Sequence, residues 1–378
     1  MSRTTIDIHV LQTVPPSNVN RDDTGSPKTA VYGGVRRARV SSQAWKRATR
    51  RAFEDELDAS DLGVRTKRVV ELVAARITER AGDLEGDAVT MATGVLKSAG
   101  VDLKPPRRSK GEDVVPDQSG YLLFLSRHQV DRLAGLAIDA ARSGLAAEKV
   151  DRKEAKAAAD TAHSVDVALF GRMVADSTDL NVDAACQVAH ALGVHATETE
   201  YDYFTAVDDR AQEDEPGAGM IGTVEFTSST LYRYATVDVD RLQDTLGDAA
   251  MTERAVAAFV RSFVTSMPTG KQNTFAHRTL PDAVVVTVRD GQPVNLVGAF
   301  EEAVVAPEGS TRLREACSRL ADYSTDVDRA YGRSARAAFV LRVGSATAPL
   351  AELGDEVDLE GLVSGVGRAA FDDVPVSA

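Results

Sequence analysis

The chain has 378 residues, of which 43% are hydrophobic and 27% charged, and a formal net charge of −13, values typical of a soluble globular protein of one or two domains. The chain contains no apolar run approaching the roughly 20 residues of a membrane-spanning helix. Its two cysteines, Cys186 and Cys317, are too few for a disulfide framework or a structural zinc site, so we expect a cytoplasmic protein.

The N-terminal segment predicts a strand, a loop and a helix. Residues Thr4–Val14 alternate apolar and polar side chains, which is the period of a half-buried strand. Residues 15–38 are rich in Pro, Gly, Asn and Asp and favour a long loop, and loops of this length are usually functional or disordered. Ser41 or Ser42 then offers an N-cap for a helix over Gln43–Leu57.

This N-terminal segment is also a basic island on an acidic chain. The first 51 residues carry ten Lys/Arg against three Asp/Glu, a balance of +7 that leaves −20 for the rest. Clustered cations of this kind attract polyanions and release their counterions. Because the chain as a whole is acidic, we expect any nucleic-acid site to be confined to a groove.

The helix predicted over Gln43–Leu57 has two stripes. Its core-facing stripe is predicted to be Trp45, Ala48 and Ala52. The other stripe is basic and comprises Gln43, Lys46, Arg47 and Arg50. A run of cations is usually a solvated face. Here the preceding Arg36, Arg37 and Arg39, and a helix N-terminus that can itself bind an anion, favour a phosphate-binding surface.

The middle of the chain predicts a helical insertion. Helical patterns follow one another through residues 64–170, interrupted by a basic Pro/Gly loop and a short strand over Tyr121–Leu125. The predicted helices are Val69–Ala81, Gly86–Ala99, Arg127–Leu145 and 146–162.

Extended patterns dominate the remainder of the chain. We predict a strand at Val165–Met173, a helix at Asn181–Leu192 and a long hairpin over residues 197–230 with an acidic, Gly-rich tip. Further strands are predicted at Leu231–Val239 and Ala283–Val288. Further helices are predicted at Met251–Ser266, Val294–Val305 and Thr311–Arg333. The order of elements indicates an α+β sandwich rather than a continuous parallel sheet.

Three further segments have side chains suited to binding. Arg21, Asp22 and Asp23 with Lys28 could form a phosphate clamp, a carboxylate pair for metal or acid–base chemistry, or simply a turn. Residues 268–275 combine Gly270 with Lys271, which is half of a phosphate-binding loop without its full motif. Tyr201, Tyr203 and Phe204, with Met220 on the returning strand, could stack on bases or fill a core.

Catalysis by a nucleophile is not indicated. The six histidines are scattered, and His190 and His195 are five residues apart, which does not place them on one helix face. We therefore interpret the histidines as structural and expect neither a cofactor nor a resident metal.

Eight segments, in order along the chain, carry a resemblance to a known family: Ile6–Leu11, Asn20–Asp23, Gly33–Gln43, Trp45–Ala48, Val165–Met173, Tyr203–Asp209, Arg233–Ala235 and Lys271–Ala276. They resemble the CasC family, the repeated backbone subunit of the type I-E CRISPR surveillance complex Cascade.

The resemblance implies an α+β fold with an RRM-like (ferredoxin-like) palm, a helical fingers insertion and a β-hairpin thumb. The implied boundaries are 1–62, 165–196 and 231–378 for the palm with its C-terminal helices, 63–164 for the fingers and 197–230 for the thumb. Copies would polymerise head to tail along a guide (CRISPR) RNA, whose bases would pair with target DNA. The other Cascade subunits would be partners, namely the large subunit, the small subunits, the end-cap subunit and the repeat-processing endoribonuclease, and no membrane would be involved.

The resemblance also assigns roles to particular residues. Loop and helix side chains would hold guide phosphates, while Met173, Phe204 and Thr205 would displace one base at regular intervals. The complete predicted RNA-binding set is Arg21, Lys28, Arg36, Arg37, Ser41, Gln43, Lys46, Arg47, Arg50, Arg172, Met173, Phe204, Thr205, Lys271 and Gln272.

Two other functions stay open at this point. Related backbone subunits of type III effectors cut target RNA from a comparable loop, so Asp22 and Asp23 could serve a metal-dependent ribonuclease. A stand-alone RNA-binding protein is the third hypothesis. We expect the protein not to be an enzyme.

Overall fold

The computed structural model describes residues 3–106, 115–174, 178–206 and 220–371. These residues form fourteen strands and eleven α-helices, numbered here in chain order. The strands β1–β14 are Thr4–Ser17, Thr29–Tyr32, Val35–Val40, Gly63–Thr66, Leu103–Lys104, Gln118–Ser119, Leu123–Ser126, Cys186–Val188, Ala191–Gly193, Glu200–Ala206, Met220–Asp238, Ala283–Asp290, Ala337–Arg342 and Asp355–Glu356. The helices α1–α11 are Ser42–Ala52, Val69–Arg80, Ala88–Ser98, Arg127–Arg142, Arg152–Asp160, Val165–Phe170, Val239–Leu246, Ala249–Thr265, Gln272–Phe275, Arg312–Tyr331 and Leu359–Phe371.

The chain forms two compact units. The first, here called the sheet unit, comprises Met1–Phe53, Gln187–Val239 and Val256–Ala378. The second, the helical unit, comprises Glu54–Cys186 and Asp240–Ala255. In the described part of the chain, no helix is both long and apolar enough to cross a membrane. The mixture of one large sheet with separate helices confirms the α+β class.

The sheet unit is built around a sheet of ten strands. Its order is β14-β13-β12-β1-β11-β9-β3-β2, with β8 and β10 also paired to β11. The β1 strand is central because it pairs antiparallel with both β11 and β12. Ile6 and Ile8 are fully buried on one face, but Asp7 and His9 on the other face are buried too. The strand predicted to be half-buried is therefore covered on both sides.

The helical unit has a core of its own. Helices α2, α3, α4 and α5 supply most of its buried side chains, among them Val73, Leu96, Leu133 and Ala155. The α4 helix begins with a capping box in which Ser126 and Gln129 bond each other's backbone N–H. The helices predicted for residues 64–162 are thus present, although the last of them begins only at Arg152 and follows a short 3₁₀ turn.

Four predictions of secondary structure were wrong. Residues 15–38 are not one loop, because β1 continues to Ser17 and β2 and β3 form a hairpin. The predicted strand Val165–Met173 is the helix α6, which ends at Gly171 with φ +78°. The predicted helix Asn181–Leu192 is replaced by β8 and β9, because pairing with β11 and β3 overrides its local preference. Of the predicted helix Val294–Val305, only a 3₁₀ turn over Leu296–Phe300 forms.

Candidate nucleic-acid interface

The loop over residues 18–28 is an ordered turn at the end of β1. Pro15 and Pro16 cannot donate ladder hydrogen bonds, and the β1–β11 register shifts between Val14 and Ser17. After this bulge the chain leaves the sheet and folds back, with Lys28 N–H bonded to Asn20 O at 2.9 Å. Arg21 is exposed, and it forms an isolated antiparallel β-bridge with Pro27. The predicted clamp therefore has a defined backbone geometry.

Asp22 organises this turn. Its Oδ1 accepts hydrogen bonds from Thr24 N (2.9 Å), Thr24 Oγ1 (2.7 Å) and Ser26 N (3.0 Å). These bonds, the Thr24 hydroxyl foremost, lower the pKa of the Asp22 carboxyl. Asp23 is exposed next to it. The described residues contain no group of three or more His, Cys, Asp or Glu side chains arranged to hold a metal ion.

The same turn is bonded to the start of α1. The Asn20 Oδ1 accepts the Ser41 N–H at 2.8 Å, and Ser41 Oγ in turn accepts the Ala44 N–H as the N-cap. The predicted cap at Ser41 is confirmed. The turn and the helix N-terminus therefore form one structure.

The α1 helix presents its basic side outward. Its buried residues are Trp45 and Thr49, whereas Ala48 and Ala52, predicted to face the core, are only half-buried. The buried stripe therefore runs from Trp45 to Thr49, a step of four residues, and not through Ala48 and Ala52. Gln43 and Arg47 are exposed, and Lys46 and Arg50 are partly exposed along the same side.

The three arginines of β3 have different surroundings. Arg36 is exposed. Arg37 is fully buried, and its guanidinium donates to the carbonyl oxygens of Gly193 (3.1 Å), Phe300 (3.2 Å) and Glu301 (3.1 Å). Its predicted contact with RNA does not agree with this burial. Arg37 instead joins β3 to the 3₁₀ turn that ends at Phe300.

His190 has a structural role next to this site, as predicted for the histidines. Its Nδ1 accepts the Ser42 N–H at 3.2 Å and lies 3.3 Å from Arg39 Nη1. Burial, together with the charges of Arg39 and Lys28, lowers the pKa of His190. The neutral ring is therefore the acceptor that holds β3 against the start of α1. No sequence signal identifies it, since its partners are about 150 residues away.

The loop over residues 268–277 lies against the 18–28 turn. A Cβ on Gly270 would overlap the carbonyl oxygen of Val19, so the two backbones touch. Lys271 and Ala276 adopt left-handed φ values of +53° and +46° on either side of α9. The buried His277 holds the loop closed, with its Nε2 3.3 Å from Pro268 O. Lys271 and Gln272 are thereby held next to the basic turn.

The two strands of the predicted hairpin are present and paired in the residues that the structure describes. The β10 strand pairs with β11 from Glu200↔Phe226 to Ala206↔Met220, and β11 continues without interruption through the strand predicted separately at Leu231–Val239. Residues 207–219 and the Met220 side chain lie outside the described set.

The two faces of the hairpin carry different aromatic side chains. Tyr201 and Tyr203 are 68% and 63% exposed on the face that Thr205 shares. Phe204 is on the other face, opposite Gly222, where an added Cβ would lie 2.5 Å from its Cζ. Its ring therefore lies flat across the returning strand, a position that requires glycine there.

Two predicted site residues belong to the helical unit. Met173 is 83% exposed. Arg172 is buried and donates to Leu180 O (2.6 Å), Ala159 O (3.1 Å) and the Asp160 carboxylate (2.7 Å). Its predicted contact with RNA does not agree with this environment, in which all the bonds of the guanidinium hold the unit together.

In the sheet unit, the structure brings together segments that are far apart in sequence. The 18–28 turn, the α1 N-terminus and the 268–277 loop are joined by direct contacts. The exposed cations Arg21, Arg36 and Arg47, with Lys271, lie on these elements and on β3. Such a set can bind several phosphates without reading base sequence.

Comparison with known proteins identifies the family of the whole chain. Residues 6–365 match the family described as CT1975-like protein. A chain of a structure titled CRISPR RNA-guided surveillance complex, pre-nicking, is 38% identical, with a TM-score of 0.82 over 97% of this chain and 100% of that one. A chain of a second structure, titled CRISPR RNA-guided surveillance complex, is 32% identical, with a TM-score of 0.72 over 96% and 99% of the two chains. No curated protein matches.

The identities and the coverage confirm the resemblance to the CasC family. Both similar chains are matched over almost their whole length, and the family match includes the turn, the basic helix, the hairpin and the 268–277 loop. This chain therefore belongs to the CT1975-like protein family and is homologous to components of CRISPR surveillance complexes.

Proposed function

We propose that this protein is a guide-RNA-binding backbone subunit of a Cascade-type surveillance complex, polymerising along the guide and presenting its bases to target DNA. The observation that carries the proposal is the joining of the 18–28 turn, the α1 N-terminus and the 268–277 loop into one cation-bearing surface. The surface binds backbone phosphates, while base pairing by the guide reads the target.

The finer architecture belongs to the same proposal. The RRM-like palm with its C-terminal helices comprises residues 1–62, 165–196 and 231–378, the helices of residues 63–164 are the fingers, and the hairpin over residues 197–230 is the thumb. Partners are the guide RNA, target DNA through the guide, further copies of this chain and the other subunits of a type I-E complex in the cytoplasm.

The phosphate role is tested by removing two cations of α1. In the complex assembled with guide RNA, Lys46→Ala combined with Arg50→Ala should weaken binding equally for guides of different sequence. Each phosphate contact to a single strand contributes about 0.7 to the slope of log affinity against log salt, so the slope should fall by about 1.4. Arg329→Ala with Arg368→Ala removes two cations from α10 and α11 and should leave the slope unchanged. An unaltered slope in the α1 variant contradicts the proposal.

We propose that the subunit is not a nuclease. The support is the role of Asp22, whose Oδ1 is occupied by three hydrogen bonds from its own turn. The assembled complex is incubated with complementary RNA and Mg²⁺, and we expect no cleavage. Cleavage that disappears in Asp22→Ala or Asp23→Ala would establish the ribonuclease function instead.

A further inference from the structure

Asn18 connects the basic turn to the root of the hairpin. It is 1% exposed, and its Nδ2 donates one hydrogen bond to Gly25 O (3.0 Å) and another to Glu225 O (2.9 Å). Gly25 is in the turn that carries Arg21, and Glu225 is in the β11 arm of the hairpin. One amide group therefore holds two backbone segments that belong to different functional elements.

The bond to Glu225 lies just beyond the end of a regular ladder. Pairing between β1 and β11 finishes at Ser17↔Thr227, after the bulge at the two prolines. Past that point β1 turns away, while β11 continues into the hairpin. The Asn18–Glu225 bond thus fixes the direction in which the hairpin leaves the sheet.

Neighbouring contacts reinforce the same point. Gly270 packs on the backbone of Val19, the next residue after Asn18. Phe275 from the same loop lies 6.0 Å, ring to ring, from Phe226, the next residue after Glu225. The 18–28 turn and the 268–277 loop therefore both hold the root of the hairpin.

We propose that Asn18 is a positioning residue that couples the phosphate-binding turn to the orientation of the hairpin. RNA held on the turn restrains Gly25, and the Asn18 amide passes that restraint to Glu225. Both acceptors are carbonyl oxygens, so the role needs a side chain with two N–H donors at this position. The proposal rests on the proposed RNA-binding function.

The first test uses hydrogen exchange in the free full-length chain. In Asn18→Asp the carboxylate cannot donate, so backbone amides at residues 222–226 should exchange at least tenfold faster, while those of β12 stay unchanged. Gln292→Glu, the same amide-to-carboxylate change at an exposed position after β12 and outside the proposed interface, is the matched control and should alter neither region. Unchanged exchange at 222–226, or equally faster exchange in β12, would overturn the proposal.

The second test adds guide RNA. RNA should slow exchange at residues 222–226 in the natural chain and in Gln292→Glu, but not in Asn18→Asp. Equal slowing in all three proteins would show that Asn18 carries no coupling. If the natural chain does not bind guide RNA, the proposed function fails, whereas the free-chain comparison still decides the structural role of Asn18.

If the buried carboxylate prevents Asn18→Asp from folding, Asn18→Ala replaces that variant in both tests. It removes both donors without adding a charge, and the same faster exchange at residues 222–226 is expected. Failure of both variants to fold would assign Asn18 a global structural role and overturn the proposal.

Discussion

His9 and Asp7 form a buried polar cluster beneath the centre of the sheet. Asp7 accepts hydrogen bonds from Tyr234 Oη (2.7 Å) and Val294 N (3.0 Å), and burial raises the pKa of its carboxyl despite these bonds. The His9 Nδ1 lies 2.9 Å from Tyr232 Oη, and burial, with a smaller effect of Arg289, lowers the pKa of His9 to about 3. His9 is therefore held neutral by the fold.

This neutrality makes stability depend on pH. An unfolded histidine has a pKa of about 6.5, so between about pH 6.5 and pH 3 the unfolded chain binds a proton that the folded chain excludes. Because of His9, the free energy of unfolding should fall by about 1.4 kcal/mol for each unit by which the pH is lowered within that window. Urea unfolding at pH 6, 5 and 4 measures the slope.

Comparison with variants isolates the contribution of His9 to that slope. His9→Gln should reduce the slope by about that amount per pH unit, whereas His128→Gln, at an exposed position on α4, should not. Equal slopes in His9→Gln and the natural chain would contradict the assignment.

Arg233 is a buried cation held by aromatic rings. Its Cζ lies 3.7 Å from the Trp45 ring centre and 4.6 Å from that of Phe263, and its Nη1 donates to Gln12 Oε1 at 2.7 Å. Burial lowers its pKa to about 9. The planar guanidinium thereby joins the inner side of α1 to β11 and α8.

A lysine cannot replace this arrangement, because its ammonium group neither stacks on two rings nor reaches the same acceptors. Arg233→Lys should destabilise the protein by about 3 kcal/mol, the scale of breaking a buried charged network. Denaturant unfolding measures the loss, with Arg368→Lys on the surface of α11 as the control. A loss below about 1 kcal/mol would show that the stacking matters little.

At the scale of elements, the hairpin depends on one glycine. The Phe204 ring occupies the space that any side chain at position 222 would need. Gly222→Ala should therefore lift the ring and change which guide bases are accessible in the assembled complex, as Phe204→Ala should. Chemical probing of the guide measures the pattern. Thr223→Ala, on the opposite face, is the control, and an identical pattern in Gly222→Ala would contradict the assignment of Phe204 to the thumb.

The 268–277 loop depends on a second glycine in the same way. Gly270→Ala should separate Lys271 from the 18–28 turn, because the new methyl group overlaps Val19 O. We expect guide affinity to fall at least tenfold, measured by titration of the assembled complex at fixed salt, with the exposed Thr269→Ala as the control. Unchanged affinity for the guide would contradict the proposed role of Lys271 in binding RNA.

At the scale of the whole molecule, the charge distribution fits a subunit that binds RNA along one groove. The first 51 residues carry +7 and the remaining residues −20. We expect the negative charge of the remainder to limit unspecific binding of RNA outside the groove. If copies assemble along the guide, particle mass should rise in steps as the guide is lengthened, as light scattering can measure. A constant one-to-one complex at every guide length would favour a stand-alone RNA-binding protein.

The sequence was sufficient for features set locally and insufficient for those set by distant partners. The Ser41 cap and the basic side of α1 depend on neighbouring residues and were predicted correctly. The burial of Arg37 was not predicted, because its acceptors at Phe300 and Glu301 are more than 260 residues away in the sequence. Helix α6 and strands β8 and β9 were assigned the wrong type, since short apolar runs fit either structure until their partners are known.

The central position of β1 also bears on how the chain is made. Its neighbours in the sheet are residues 227–238 and 283–290, so the whole stretch between β1 and residue 227 must be synthesised before this strand can pair. Until then β1 remains unpaired, and an unpaired apolar strand is a condition under which nascent proteins aggregate. The buried core of the helical unit comes from residues between Val69 and Leu180, so we expect this core to form first. Expression of this protein should therefore be sensitive to the rate of translation and to chaperone supply.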